Sequence, residues 1–252
     1  IIIGAVTGAN NNLTLDTTAS TGSADITFTG DINMGTGTLD VTGDVVLGAN
    51  VTITATSNGG TGIRFRDAIN ADNASSNDRT LTLNSGTGSI INVSGNVGNS
   101  QPLAGLTITQ SNGTSFASNV DVSDSDSGTI TLTDTQDNSS INFFNNVTAD
   151  NFVTAAQGYN LGLLGNTTIA NAVTFQNTGT LKLGDNTSDT LTFNGGVTEN
   201  TTGTVRIHGA IVSSNDTISF GNIELRRDLS VNSAGGAISI GTIIAATGPR
   251  DI

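Results

Sequence analysis

The sequence contains no cysteine and no tryptophan, and only two prolines, one methionine and one tyrosine in 252 residues. Without cysteine the chain forms neither a disulfide framework nor a thiolate metal site. The two prolines exclude a collagen and a proline-rich linker. No apolar run approaches the ~20 residues that a helix needs to cross a bilayer, so we expect no membrane span.

Residues that favour solvent-facing helices are also scarce, since the chain has one lysine, Lys182, and two glutamates, Glu199 and Glu224. This scarcity disfavours helix throughout. Apolar residues make up 35% of the chain and are spread evenly along it, unlike in a disordered polymer. Together with the abundant threonine, they favour the half-buried surface of a sheet. The composition therefore predicts an all-β fold with no significant helix.

Positive charge is scarce as well. Eight basic against 21 acidic residues give a formal net charge of −13 and a pI near 4.1. Such a surface repels phosphate backbones and anionic lipid, so nucleic-acid binding and electrostatic membrane attachment are not expected.

The sequence is apolar near both ends, with Ile1-Ile2-Ile3 at the start and Ile243-Ile244-Ala245-Ala246 close to the end. Natural termini are usually polar and frayed. No charge block or Pro/Ser-rich linker divides the chain. We therefore expect residues 1–252 to form a single continuous domain that is a segment of a longer precursor.

A degenerate motif recurs, in which two apolar residues alternate with polar ones before Gly, then Asp or Asn, then Ile or Val. The alternating part predicts a strand of about three residues, and the Gly-Asp/Asn pair supplies the conformations that turn a corner. Such a unit cannot bury its own apolar face and must stack on its neighbours. The copies occupy residues 26–32, 39–45, 91–97, 191–197 and 205–211, with a copy one residue shorter at 218–223.

Short strands and Gly/Asn/Asp corners favour a parallel β-helix, and a sandwich or barrel with longer hairpin strands is the alternative. At about 25 residues per rung the helix would have about ten rungs. Like residues at equivalent corners would form hydrogen-bonded ladders. The predicted core contains Ile26, Phe28, Leu39, Val41, Val51, Ile53, Leu81, Leu83, Ile130, Leu132, Leu191, Phe193, Ile218, Phe220, Ile238 and Ile240.

Two stretches resemble the repeats of a known class of protein. They are LTLNSGTGSI at residues 81–90, followed by VSGNVG at 93–98 and LAGLTI at 103–108, and NDTISF at 215–220, leading to AGGAISI at 234–240. They resemble the filamentous-haemagglutinin-like adhesins and related β-strand-repeat exoproteins of bacterial surfaces. The resemblance implies a right-handed β-helix, export to the bacterial surface, and a role in adhesion, matrix or fibre building. It carries no catalytic residues across.

His208 is the only histidine, and with Arg206 it places two polar groups on one strand face. A catalytic interpretation would make them a base and an anion clamp. However, His208 occupies the corner position that Thr42 or Ser94 holds in other copies, so we expect a solvent-facing corner residue. No nucleophile-elbow signature accompanies it. Similarly, we expect residues 226–228, Arg-Arg-Asp, to form a charged rung edge rather than a ligand clamp.

A polysaccharide-degrading enzyme, either a glycosidase or a lyase, is the alternative function. It would need carboxylates from neighbouring rungs about 5–10 Å apart in a groove, with aromatic side chains to stack on sugar rings. The chain has one tyrosine, Tyr159, and nine phenylalanines that fall mainly at core-facing repeat positions. The sequence therefore favours a protein that is not an enzyme and has no catalytic residues.

The densest acidic stretch spans residues 121–128 and includes Asp121, Asp124 and Asp126. Oxygen ligands at nearly alternate positions before a glycine suit Ca²⁺. The stretch lacks the bidentate glutamate of an EF-hand and the nonapeptide calcium repeat. These three aspartates are a candidate calcium site, the alternative is a solvated loop, and no other cofactor is expected.

The sequence as a whole predicts a non-catalytic, secreted or cell-surface structural or adhesive β-solenoid. A glycan-binding module is a further alternative. The expected partners are further rungs of the same precursor or head-to-tail copies of the chain, with a host surface or extracellular glycans as adhesive targets.

Overall fold

The structure, a computed structural model, describes residues 1–18, 25–72, 79–124, 128–200 and 203–245. These residues form a parallel β-solenoid, as the sequence predicts. They contain no helix, and each strand pairs in parallel with the equivalent strand of the next turn. Consequently, the part of the chain that is described has no helix with the length and apolar character of a membrane span.

The strands are short, mostly three to five residues. In chain order they are β1 (Ile2–Ile3), β2 (Val6–Thr7), β3 (Leu13–Asp16), β4 (Ile26–Phe28), β5 (Ile32–Gly35), β6 (Leu39–Thr42), β7 (Val45–Leu47), β8 (Val51–Ala55), β9 (Thr61–Phe65), β10 (Ile69–Ala71), β11 (Thr80–Asn84), β12 (Ile90–Val93), β13 (Gly105–Gln110), β14 (Thr114–Phe116), β15 (Val120–Val122), β16 (Thr129–Leu132), β17 (Ser140–Phe143), β18 (Val147–Ala149), β19 (Asn151–Thr154), β20 (Asn160–Leu163), β21 (Thr167–Ile169), β22 (Val173–Phe175), β23 (Leu181–Leu183), β24 (Thr190–Phe193), β25 (Val197–Glu199), β26 (Val205–Val212), β27 (Ile218–Phe220), β28 (Ile223–Asn232), β29 (Ile238–Ile240) and β30 (Ile243–Ala245).

Each turn contributes a strand to each of three faces, with one exception. The threonine face is the continuous 11-stranded sheet β2-β5-β8-β11-β13-β16-β19-β22-β25-β27-β29. The charged face consists of β3, β6, β9, β12, β14, β17, β20 and β23, residues 205–207 of β26, residues 223–225 of β28, and β30. The 11 strands of the threonine face are close to the expected ten rungs.

The third face, which we call the interrupted face, has two parts. The first is the four-stranded sheet β1-β4-β7-β10, and the second contains β15, β18, β21, β24 and the C-terminal parts of β26 and β28. In the turn between them the only β-bridges among the described residues are two single ones, from Ile69 to Val97 and from Val97 to Val120. This is the exception, because Val97 stands where the other turns have a strand.

Turn length varies because the corners vary while the strands stay in register. Ile26 pairs with Val45 of the next turn, and Val51 pairs with Leu81 of the next turn. The second of these turns is therefore about half as long again as the first. The expected spacing of about 25 residues per rung lies between the two.

The recurring motif marks corners of more than one kind. The copy at 39–45 turns from the charged face to the interrupted face, and the copy at 26–32 turns from the interrupted face to the threonine face. Gly43 adopts a φ of 117°, which residues with a side chain rarely adopt. At Gly95 the constraint is space, because a Cβ there would lie 2.2 Å from the carbonyl carbon of Asp67. The motif therefore marks a corner. The copies at 26–32 and 39–45 are close in sequence because they lie at two different corners, not at the same corner of successive turns.

Polar side chains at the corners hold successive turns together, as the sequence predicts. Asn96 Oδ1 accepts a hydrogen bond from the backbone N–H of Asn119 at 3.1 Å, and Asn119 Oδ1 accepts one from the N–H of Asn146 at 3.3 Å. Asp44 makes the same bond to Ala68 N–H. These bonds run from side chain to backbone along a column of equivalent positions, which we call the corner ladder.

The interior is apolar and continuous along the axis. Fourteen of the sixteen predicted core residues are buried and Ile240 packs against them, but the prediction for Ile238 was wrong. Ile238 is 49% exposed and Ile240 is only partly buried, because β29 belongs to the last described turn and no later described turn covers it. Eight of the nine phenylalanines are buried, and the rings of Phe116 and Phe143 stack with centroids 4.7 Å apart.

Small hydroxyl side chains fill the interior at the corner between the threonine face and the charged face. Ser85 Oγ donates to the carbonyl of Ser89 and Ser89 Oγ donates to that of Ser85, both at 2.7 Å. In the next turns the Ser111 hydroxyl lies 2.9 Å from that of Thr114 and 2.7 Å from that of Thr135. These buried polar groups are paired, so they add no unsatisfied hydrogen bond to the core.

Candidate functional site

The described positive charge is concentrated on the charged face. Six of the seven described lysine and arginine residues lie in or directly beside its strands, and the seventh, Arg79, forms an ion pair with Asp72 at 2.6 Å. In a molecule with a net charge of −13, this face is therefore the candidate functional surface. The six are Arg64, Arg66, Lys182, Arg206, Arg226 and Arg227.

The first cluster on this face surrounds Asp40 of β6. Its carboxylate accepts two hydrogen bonds from Arg66, at 3.1 Å from Nε and 2.8 Å from the terminal nitrogen, and lies 3.6 Å from Arg64. Arg64 is the register partner of Asp40 in the next turn. Beside the cluster lies a shallow depression of about 180 Å³, lined by Thr38, Leu39, Asp40, Thr61 and Arg64.

The second cluster surrounds Glu224 of β28. One carboxylate oxygen accepts from Arg206 Nε at 2.8 Å, and the other accepts from Arg226 Nε at 2.9 Å. The hydrogen bond from Arg206 is the main reason that the pKa of Glu224 is lowered. Lys182 is exposed, lies in register with Arg206, and makes no ion pair with a described residue. The second cluster therefore carries more positive charge than Glu224 neutralises.

His208 lies in β26 at the corner where the charged face meets the interrupted face, but the expectation that it faces solvent was wrong. Both ring nitrogens are buried and have no partner in hydrogen-bonding geometry among the described residues. The reason is that β26 continues through the corner and β28 pairs with it on both sides of His208, with a register shift at His208 itself.

Burial is the main cause that lowers the pKa of His208, and the positive charges of Arg227 and Arg226 act in the same direction. The backbone and the charge of Asp185 oppose them. Since no serine hydroxyl or carboxylate is bonded to the ring, the described residues place no Ser-His-Asp triad at His208.

The aromatic residues show which side chains could stack on a sugar. Tyr159, the only tyrosine, is fully buried and its hydroxyl donates to the Leu132 carbonyl at 3.1 Å. That burial raises the pKa of Tyr159. Phe144 is the one exposed aromatic residue in the described part of the chain, at 49%, and it follows β17 at the edge of the charged face.

Asp121 and Asp124 are described, whereas Asp126 lies outside the described residues. Asp121 lies in β15 on the interrupted face, and its Oδ1 accepts hydrogen bonds from both the backbone N–H and the hydroxyl of Ser123. Across the described ranges, no three His, Cys, Asp or Glu residues are grouped as metal ligands. The calcium site stays a prediction.

Residues 226–228 lie exposed within β28, where that strand bends from the charged face to the interrupted face, which agrees with a charged rung edge.

The ion pairs of Asp40 and Glu224 were not predicted. Arg64 is the register partner of Asp40 one turn later, and Arg206 is that of Glu224 one turn earlier, so each separation equals the length of a turn. A search of the sequence for oppositely charged residues separated by the length of one turn would have found these ion pairs.

The arrangement offers paired charges, hydroxyl groups and amides. Among the residues that the structure describes, no nucleophile and orienting acid are hydrogen-bonded to the histidine ring. No protein-family model, no curated protein and no solved structure matches the chain.

Proposed function

We propose that the chain is a non-catalytic structural or adhesive segment of a bacterial exoprotein, secreted or held at the cell surface as an adhesin, matrix or fibre component. The observation that carries this proposal is how the polar side chains are used. In the corner ladder, Asn96 and Asn119 bind the backbone of the next turn. On the charged face, Asp40 and Glu224 pair with arginines of neighbouring turns. Groups that hold a scaffold together in this way suit a rigid spacer or display surface.

The electrostatics of the carboxylates support the same proposal. A general acid at neutral pH needs a raised pKa. The pKa of Glu224 is lowered, chiefly by Arg206, and the pKa of Asp16 is lowered, chiefly by the hydroxyl of Thr18. Both shifts favour a permanently charged carboxylate.

The test uses the chain in two assays. Beads coated with it are applied to a glycan array and to host cells, and the soluble chain is incubated with neutral and acidic polysaccharides while reducing ends and unsaturated products are measured. We expect retention on a surface or array without turnover. Turnover that is lost on substitution of a carboxylate would overturn the proposal.

The enzyme alternative has one favourable observation, the depression beside Asp40 and Arg64. If cleavage occurs there, Asp40→Asn should abolish it. The matched control is Asp137→Asn, which removes the same charge at an exposed position beyond the end of β16. Equal activity in both variants and the unmodified chain would show that any turnover comes from elsewhere.

The outer described turns suit axial contact with further turns, either of the same polypeptide or of another copy. Ile2, Ile243 and Ile244 are each more than half exposed. Electron microscopy of the isolated chain tests whether copies of the chain stack end to end. Filaments with an axial repeat of about 50 Å, from ~4.8 Å per turn, would support head-to-tail assembly. Monomeric particles at high concentration would contradict head-to-tail assembly.

A further inference from the structure

The threonine face presents a single uninterrupted row of small side chains to solvent, which we call the threonine row. Its positions are direct register partners from turn to turn, and they alternate with buried residues such as Val51 and Ile53. The row contains Thr52, Thr82, Thr107, Thr131, Val153, Thr174, Thr198, Ser219 and Ser239.

The threonine row carries no charge. Glu199 is the only charged residue within the 11 strands of this face, and one of its carboxylate oxygens accepts the Gly221 N–H at 2.9 Å. By contrast, charged residues lie at both edges of the face, and they include Arg79, which precedes β11 and pairs with Asp72. Asp31 and Asp150 lie at the corner before it, and Asp134 and Asp137 lie at the corner after it.

From this row we infer that two copies of the chain associate side by side, with the threonine face of one packed on the threonine face of the other. The row is a flat array of methyl and hydroxyl groups with a repeat of ~4.8 Å. Threonine has few χ1 rotamers, so ordering it costs little entropy. A second copy has the identical repeat, so the two rows fit along their whole length and interdigitate as identical side chains do in steric zippers.

Charge favours this face over the others for self-association. Two chains of net charge −13 repel each other, and they approach at least cost where the contacting side chains are neutral. The charged face would bring Lys182 and Arg206 against their own copies, and the interrupted face carries Asp121 in its outward row. Val153, 48% exposed, adds apolar surface at the middle of the threonine row.

The size of the contact predicts a weak, reversible dimer. The row spans about 38 Å along the axis and the strands about 15 Å across it, which gives about 1,100 Å² for both partners together. That area lies at the lower end of the sizes found for specific interfaces. Each copy carries a net charge of −13, so association should strengthen as salt screens the repulsion between the two copies.

The first experiment is sedimentation equilibrium of the full chain at low and high NaCl. We expect concentration-dependent dimers whose association constant rises about tenfold from ~20 to ~500 mM salt, as the Debye length shortens. The double variant Thr107→Glu/Thr131→Glu, which places charge in the threonine row, should be monomeric at both salt concentrations. Its matched control, Thr148→Glu/Thr168→Glu, adds the same charge at outward register partners of the interrupted face and should still dimerise. Melting temperatures establish that both variants fold.

The second experiment uses the absence of native cysteine. In a two-fold dimer the middle of the row meets its own copy, so Val153→Cys should form an intermolecular disulfide under mild oxidation at least tenfold faster than Thr168→Cys. A chain that stays monomeric at all salt concentrations would overturn the inference. Dimers that the threonine-face variant leaves intact, or equal cross-linking at the two positions, would also overturn it. Neither experiment depends on adhesion or turnover.

Discussion

The threonine face and the charged face are built on the same interior and differ only outside. Val51 and Ile53 are buried beneath the first, as Leu39 and Val41 are beneath the second. Outside, the threonine face repeats small neutral side chains, mostly threonine, whereas the charged face opposes Asp40 with Arg64 in the next turn. Because stacked strands bring equivalent side chains close together, like charges in register are costly. The comparison shows two solutions to that constraint. One is repetition without charge, and the other is opposite charges in register at Asp40–Arg64 and Arg206–Glu224, although Lys182 and Arg206 remain like charges in register.

The largest expected effect tests whether the interior, shared by both faces, dominates stability. Phe143 is fully buried and stacks on Phe116, while its neighbour Phe144 points outward and is half exposed. We expect Phe143→Ala to lower the free energy of unfolding by about 3–5 kcal/mol, through lost burial and an unfilled cavity. Phe144→Ala should change it by less than about 1 kcal/mol. Urea denaturation measures both, and similar losses would mean that inward and outward positions are not distinct.

A smaller effect concerns the corners that join the faces. Asn119→Ala removes the side-chain acceptor of the Asn146 N–H, so we expect a loss of about 1 kcal/mol in unfolding free energy. The control is Asn92→Ala, at an outward position in the middle of β12 on the charged face. Equal stability of the two variants would show that the corner ladder adds nothing beyond the backbone hydrogen bonds.

The ion pairs of the charged face should matter less and should depend on salt and pH. Since the pKa of Glu224 is lowered in the folded state, its contribution is present above the ordinary pKa of ~4.3 and is lost as the pH falls through the lower folded value. Glu224→Gln should lower the free energy of unfolding by about 0.5–1 kcal/mol at pH 7. It should have no effect at a pH low enough to protonate Glu224. Thermal melts at pH 7 and below 4 measure this. A matched Thr52→Val variant on the threonine face should show no such pH dependence.

The smallest expected effect on stability comes from His208, at the corner beyond the charged face, where burial lowers its pKa. The unfolded state then binds a proton at a higher pH than the folded state does. Stability is therefore retained above ~6.5 and declines as the pH falls from there toward the lowered folded pKa. In His208→Asn the decline between pH 7 and pH 5 should be reduced, as followed by melting temperature. An unchanged decline would assign it to other groups.

The sequence alone predicts the strands and corners well, because alternation and Gly-Asp/Asn corners are local signals. Val41, Ile91 and Phe193 lie inward as their motif copies predict. Which residues meet across neighbouring turns does not follow from the motif alone, because turn length changes from one turn to the next and register depends on it. For that reason neither the partners of Asp40 nor the unbroken threonine row could be inferred from the motif.

The predicted exposure of His208 and the predicted burial of Ile238 were wrong for a related reason. His208 lies in a copy of the motif and Ile238 in an alternating stretch, but the exposure of each depends on the turn stacked on it. At His208 the strand continues through the corner beneath β28, and at Ile238 no further described turn lies above. A pattern within one turn contains no information about the turn stacked on it.

The parallel stacking also determines how the molecule responds to mechanical force. The hydrogen bonds between turns run along the solenoid axis, so a pull applied to the two ends of the chain loads the outermost turn first and peels it from its neighbour. Each turn, once released, adds roughly 65–100 Å of extended chain, at ~3.4 Å for each residue. Because the stability of such arrays is mainly between nearest neighbours, the turns yield one after another and the remainder stays folded. We therefore expect the solenoid to stay rigid until a turn is released and then to lengthen in steps, one turn at a time.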